Sequence, residues 1–169
     1  TGACHVLLTT PEPVQAFSLG IAHDPDVATL EAIDYAGCHA LETLNGGGGP
    51  DFFAFDLTAG TAGCAGAAAA GGAAYCIASQ SQPDTEVIGP GTGIPVLRLT
   101  YRARATAAAG VTSPLDLLGC LGDDIPWALV LTIRTASVTP ATVGGLLTIE
   151  ESDIGFRRGD VNAAGARDI

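Results

Sequence analysis

Apolar and polar residues alternate through several short stretches of the chain, the period-two pattern of strands with one face buried. In QAFSLGIA, Phe17, Leu19 and Ile21 fall on one side. In VLRLTYRAR, Leu97, Leu99 and Tyr101 face one way, while Arg98, Thr100, Arg102 and Arg104 face the other. WALVLTIRT places Trp127, Leu129, Leu131 and Ile133 opposite Thr132 and Arg134. FFAFDL, AYCIAS and GLLTIE predict three further strands, ACHVLLTT another at the N-terminus, and ATLEAID and HALETL two weaker ones. LDLLGCL is expected to hold a helical turn, and the Ala/Gly stretch TAGTAGCAGAAAAGGAA reads as a loop, because each interleaved Gly costs a helix about 1 kcal/mol relative to Ala.

Turn residues separate these stretches: HDPD, NGGGGPD, SQPD, GPGTGIP, TSP, GDDIP and VTP. Short strands spaced by Gly/Pro turns, with no long helical stripe, predict an all-β protein, an Ig-like β-sandwich of cohesin-like or jelly-roll-like type with little helix. The organisation expected is an N-terminal strand or arm over 1–12, a sandwich over 13–151 and a tail over 152–169. PEPVQ directly after the first strand stiffens its exit and removes backbone donors. That strand either folds back on its own sheet or, held away from it, donates Cys4, Val6, Leu7 and Leu8 to a neighbouring copy. Strand donation of that kind propagates into fibres when the rotation does not close.

Composition narrows the job. A chain of 169 residues suits one domain and can bury roughly 70% of its unfolded surface. The net charge is −11, and all seven basic residues are Arg. So acidic a surface argues against nucleic acid or an anionic membrane as main partner; it suits simple solubility first, and is compatible with a divalent cation. No apolar run approaches the roughly 20 residues of a membrane-spanning helix. With no Met in the sequence, either the N-terminus has been processed or the chain is a fragment; a removed signal peptide fits, and with it an extracellular or cell-surface location. The five cysteines form no C-x-x-C pair; in a secreted chain they read as disulfides with one left over, Cys64 and Cys76 being the first pair expected.

Catalytic patterns are missing from the sequence: it contains no G-x-S-x-G, H-E-x-x-H or P-loop, and the chain is not expected to be an enzyme. His23 beside Asp24 and Asp26 could hold a metal, although Asp-Pro-Asp after a strand is first of all a turn. Asp123 and Asp124 are adjacent in a turn and point apart, so they read as a solvated loop. The Arg98, Arg102 and Arg104 stripe suits either local ion pairs or an acidic partner.

At the C-terminus, FRRGDVNAAGARDI puts Asp160, Asn162, Gly165 and Asp168 at positions 1, 3, 6 and 9 of a calcium loop. This spacing resembles the start of a dockerin type I repeat. The resemblance implies a calcium ion with Asp160, Asn162 and Asp168 as its ligands. Position 5 is Ala164, however, and position 12 would lie past Ile169. The body, with FSLGIAHDPD and the closing GLLTIEE, is similar to the cohesin-like and Ig-like modules of bacterial surface proteins. The expectation drawn from all of this is a structural subunit of an extracellular fibre, partnered by other copies of itself through the donated N-terminal strand. The alternative is a monomeric cohesin-like or carbohydrate-binding module of a larger secreted protein, with Trp127 on the core-facing side arguing against sugar stacking.

Overall fold

The structure, a computed structural model, describes residues 1–59, 64, 70–79, 86–122 and 127–150. Ten strands are built from them: β1 Gly2–Thr10, β2 Ala16–His23, β3 Ala28–Asp34, β4 Phe52–Asp56, β5 Ala70–Ile77, β6 Gly91–Ala103, β7 Thr112–Leu118, β8 Val130–Ile133, β9 Ala136–Val138 and β10 Gly145–Thr148. A single helical turn, α1, covers His39–Glu42. β1, β6 and β3 make a smaller sheet in that order, and β10, β7, β2, β5 and β4 make a larger one, with the β8–β9 hairpin joined to β2. All the pairings are antiparallel.

The alternation seen in β2 and β6 is what holds the two sheets together. Phe17 and Ile21 of β2 meet Leu97, Leu99 and Tyr101 of β6, all at most 2% exposed. Each such side chain is worth about 1.5–3 kcal/mol when fully buried. The opposite side of β6 carries arginines that pair locally with β3. Arg98 grips Asp34 through Nε and Nη2 at 2.9 and 2.8 Å, and Arg102 meets Glu31 at 2.6 Å.

Four expectations are corrected. HALETL is not a strand: Leu41 and Leu44 lie three apart and are both buried, and the Gly37 N–H donates to Glu42 Oε1 at 2.7 Å, which ties the turn of α1 to its approach. LDLLGCL is not helical; Leu115, Leu117 and Leu118 lie on β7, in register with β10 or β2. The Ala/Gly stretch ends in strand, since β5 begins at Ala70. Small residues are required there, because a Cβ on Gly72 would meet the side chains of Leu30 and Ile33 and the Asp56 carbonyl, the last at 3.0 Å.

The fourth correction is the disulfide. Cys64 is bonded to Cys120, not to Cys76. Cys76 sits on β5, in register with Phe17 and Phe53, so its side chain is enclosed between the sheets at 0% exposure, out of reach of a surface loop. Burial pushes its thiol up to about 12. Cys4 and Cys38 are also free thiols.

Candidate docking surface

β1 is not an arm standing off the domain. It pairs with β6 from Gly2↔Tyr101 to Thr10↔Gly91. Of the residues expected to be donated, Cys4, Val6 and Leu8 pack half-buried against the core, whereas Leu7 points outward at 59% exposure. The strand therefore completes its own sheet. His23 is likewise an interior residue, 4% exposed, and stacks edge-on against Tyr101 with ring centroids 5.2 Å apart. Burial lowers its pKa, which keeps the ring neutral. Asp24 closes a turn, accepting the Asp26 N–H at 2.8 Å, and the Asp24 N–H donates to Ser113 Oγ at 2.8 Å. No cluster of three or more metal-ligating side chains occurs among the described residues. Asp123 and Asp124, and the calcium-loop residues Asp160, Asn162 and Asp168, lie outside the described residues.

The larger sheet has a second face, turned away from the main core, and half of that face is roofed. Leu121, fully buried, sits directly over Gly20 of β2 and Gly71 of β5; a Cβ at either position would come within 2.7 Å of its Cδ1. Ala22, Ala59, Cys64 and Ala73 complete this small second cluster, with Cys120 and Trp127 packed against it. The Cys64–Cys120 bond fastens the roof across a separation of 56 residues. Two glycines and three alanines thus form a seat on which a separate layer rests, and Trp127 belongs to that layer.

Along β4 and the adjoining part of β5 the face is open. The β4–β5 register places Phe52 opposite Ile77 and Ala54 opposite Tyr75, and the open surface ends at β2, where Ala16 and Ser18 on the same face are buried. Phe52 is 43% exposed and meets Tyr75 edge-on at 5.9 Å. Around the free edge of β4 the aromatic surface continues: Phe55 is 50% exposed and stands 6.1 Å from Phe53, which packs on Tyr35 at 5.1 Å. Asp51 and Asp56 bracket this strip. Exposed Phe is unusual on a monomer surface, and an aromatic patch with a charged rim is the composition of a protein-docking surface. FFAFDL and AYCIAS were both expected as strands, but the strip itself was missed. It depends on which residues stand opposite one another across β4 and β5, a non-local register.

Comparison with solved structures fits this architecture. One match is a chain of a complex between CaDoc0917, carrying a point substitution, and CaCohA2 at pH 5.5, with TM-score 0.59, 14% identity and coverage of 88% of each chain. Another is the seventh ScaB type I cohesin from Pseudobacteroides cellulosolvens, with TM-score 0.56, 12% identity and coverage of 93% of this chain and 89% of that one. The fold is a cohesin-like β-sandwich with little helix. No family model matches the sequence, and no curated protein does. None of the described helices is long and apolar enough to cross a membrane.

Proposed function

We propose that this chain is a non-catalytic docking module that binds a protein partner through the open aromatic strip of β4 and β5. The observation that carries the reading is exposed Phe52 set edge-on against half-buried Tyr75, on a sheet face whose other part is sealed by the disulfide-fastened roof. A sealed half and an open aromatic half give one bounded surface of fixed shape. Internal pairing of β1 favours this module over a fibre built by strand donation. The cohesin-like fold, together with a match to a chain from a Doc–Coh complex, supports a dockerin-type domain as the partner.

The acidic rim of Asp51 and Asp56 selects a partner that presents apolar side chains flanked by Arg or Lys. The extracellular setting rests on the disulfide, a bond that persists in oxidising compartments. The test is titration calorimetry against a panel of calcium-loaded type I dockerin domains, with Phe52→Ala as control. A buried aromatic anchor is worth about 2 kcal/mol or more, so binding should weaken by about 30-fold. Equal affinity of the variant and the unmodified chain would place the interface elsewhere.

A further inference from the structure

A groove of about 680 Å³ runs between β1 and the segment 140–145 that leads into β10. Its floor is made of main-core side chains, the buried Leu19 and Leu99 and the half-buried Leu117 and Leu131. No Asp, Glu, Lys or Arg lines it among the described residues, although the chain carries 18 acids and seven arginines.

The walls say what kind of occupant fits. Every residue from Cys4 to Pro11 lines one side, and every residue from Pro140 to Gly145 lines the other. Side chains on a strand alternate between faces, so an unbroken run of lining residues means that the edge of the backbone itself is presented. β1 and β10 are each the last strand of their sheets, and among the described strands each has a neighbour on one side only. β1 carries none of the side chains that usually blunt an edge: GACHVLLTT contains no Lys, Pro or acid, although its pairing with β6 shifts register between Val6 and Leu7 and between Leu8 and Thr10.

We infer that this groove is a strand-acceptor site. It takes an extended segment of a separate polypeptide, apolar at alternate positions, that pairs with the free edge of β1 and turns its apolar side chains onto the core. The lining stretch from Cys4 to Thr10 spans about 23 Å at roughly 3.3 Å per residue, which sets the guest at about seven residues. A small apolar molecule would leave the backbone donors and acceptors on the outer edge of β1 without a protein partner. A second copy of this chain is disfavoured by repulsion between two charges of −11 and by the engagement of each copy's β1 with its own β6. This site is separate from the aromatic strip, and neither depends on the other.

The experiment uses the 169-residue chain and a labelled peptide of alternating Val and Thr with a Lys at each end. Amide hydrogen exchange of residues 4–10 is read with and without peptide. At a peptide concentration about 100 times Kd, exchange should slow by up to about 100-fold at alternate residues of β1, those whose N–H groups point away from β6. Two further peptides are N-methylated at odd or at even positions. One of them should lose binding, because it blocks the edge that pairs with β1. Equal binding by both methylated peptides would overturn the site. So would laurate binding without peptide binding, or dimerisation that protects β1 in the absence of any peptide.

Discussion

Removal of the Cys64–Cys120 bond is the perturbation whose size follows most directly from the structure. The bond closes a loop with a sequence separation of 56. Chain-entropy arithmetic, about 2.1 + 1.5R ln n in cal/mol/K, gives about 4 kcal/mol of stabilisation at 25 °C. Engineered and native bonds commonly deliver about 2–4 kcal/mol, so the Cys64→Ala/Cys120→Ala double variant should lose about 2–4 kcal/mol. For a domain of this size each kcal/mol moves Tm by about 2–4 °C, so a drop of roughly 10 °C is expected. Guanidinium unfolding measures the free energy, and thiol counting under denaturing conditions supplies the independent readout. The unmodified protein should show three reactive thiols before reduction and five after it, matching the three free cysteines and one bond. A 64–76 bridge in peptide mapping, or a double variant as stable as its parent, would refute the reasoning.

Other predictions follow from the same geometry. Gly71→Val would drive a side chain into Leu121 Cδ1 and the Ile21 carbonyl and should cost about 1–3 kcal/mol as overpacking, read as a shift of the urea midpoint. Tyr101→Phe removes a buried hydroxyl that has no hydrogen-bond partner among the described residues and should be close to neutral in stability, whereas Tyr101→Ala should cost about 3–5 kcal/mol. Burial holds the His23 pKa below its ordinary value, so its contribution is fully present above about pH 6.5 and is lost as pH falls through the lower folded value. His23→Phe should flatten that part of the stability-against-pH curve. The Arg98 guanidinium holds Asp34 below the usual carboxylate range. Its contribution is present above about pH 4 and disappears on further acidification, a dependence that Asp34→Asn should remove.

Much of the fold was legible in local pattern, because its main contacts repeat with strand period. Phe17, Leu97, Leu99 and Tyr101 alternate with polar residues, and they are the interior in fact. The Arg stripe opposite them found its acids on the adjacent strand, Asp34 and Glu31. What escaped the pattern was set by contacts distant in sequence. Gly20 and Gly71 look like strand breakers until Leu121 is seen seated on both. Cys120 lies 56 residues from Cys64, and no local feature distinguishes it from Cys76. The aromatic strip was split in the same way, Phe52 and Tyr75 being joined only by the β4–β5 register.

The central claim is that the open half of the larger sheet is where a protein partner docks. Its most direct test is backbone and side-chain chemical-shift mapping of the labelled chain during titration with calcium-loaded type I dockerin domains. The account predicts saturable shifts at Phe52, Ala54, Tyr75 and Ile77, with the arginine face of β6 unmoved. Shifts confined to Arg98 and Arg102, or no shifts with any dockerin domain, would contradict it.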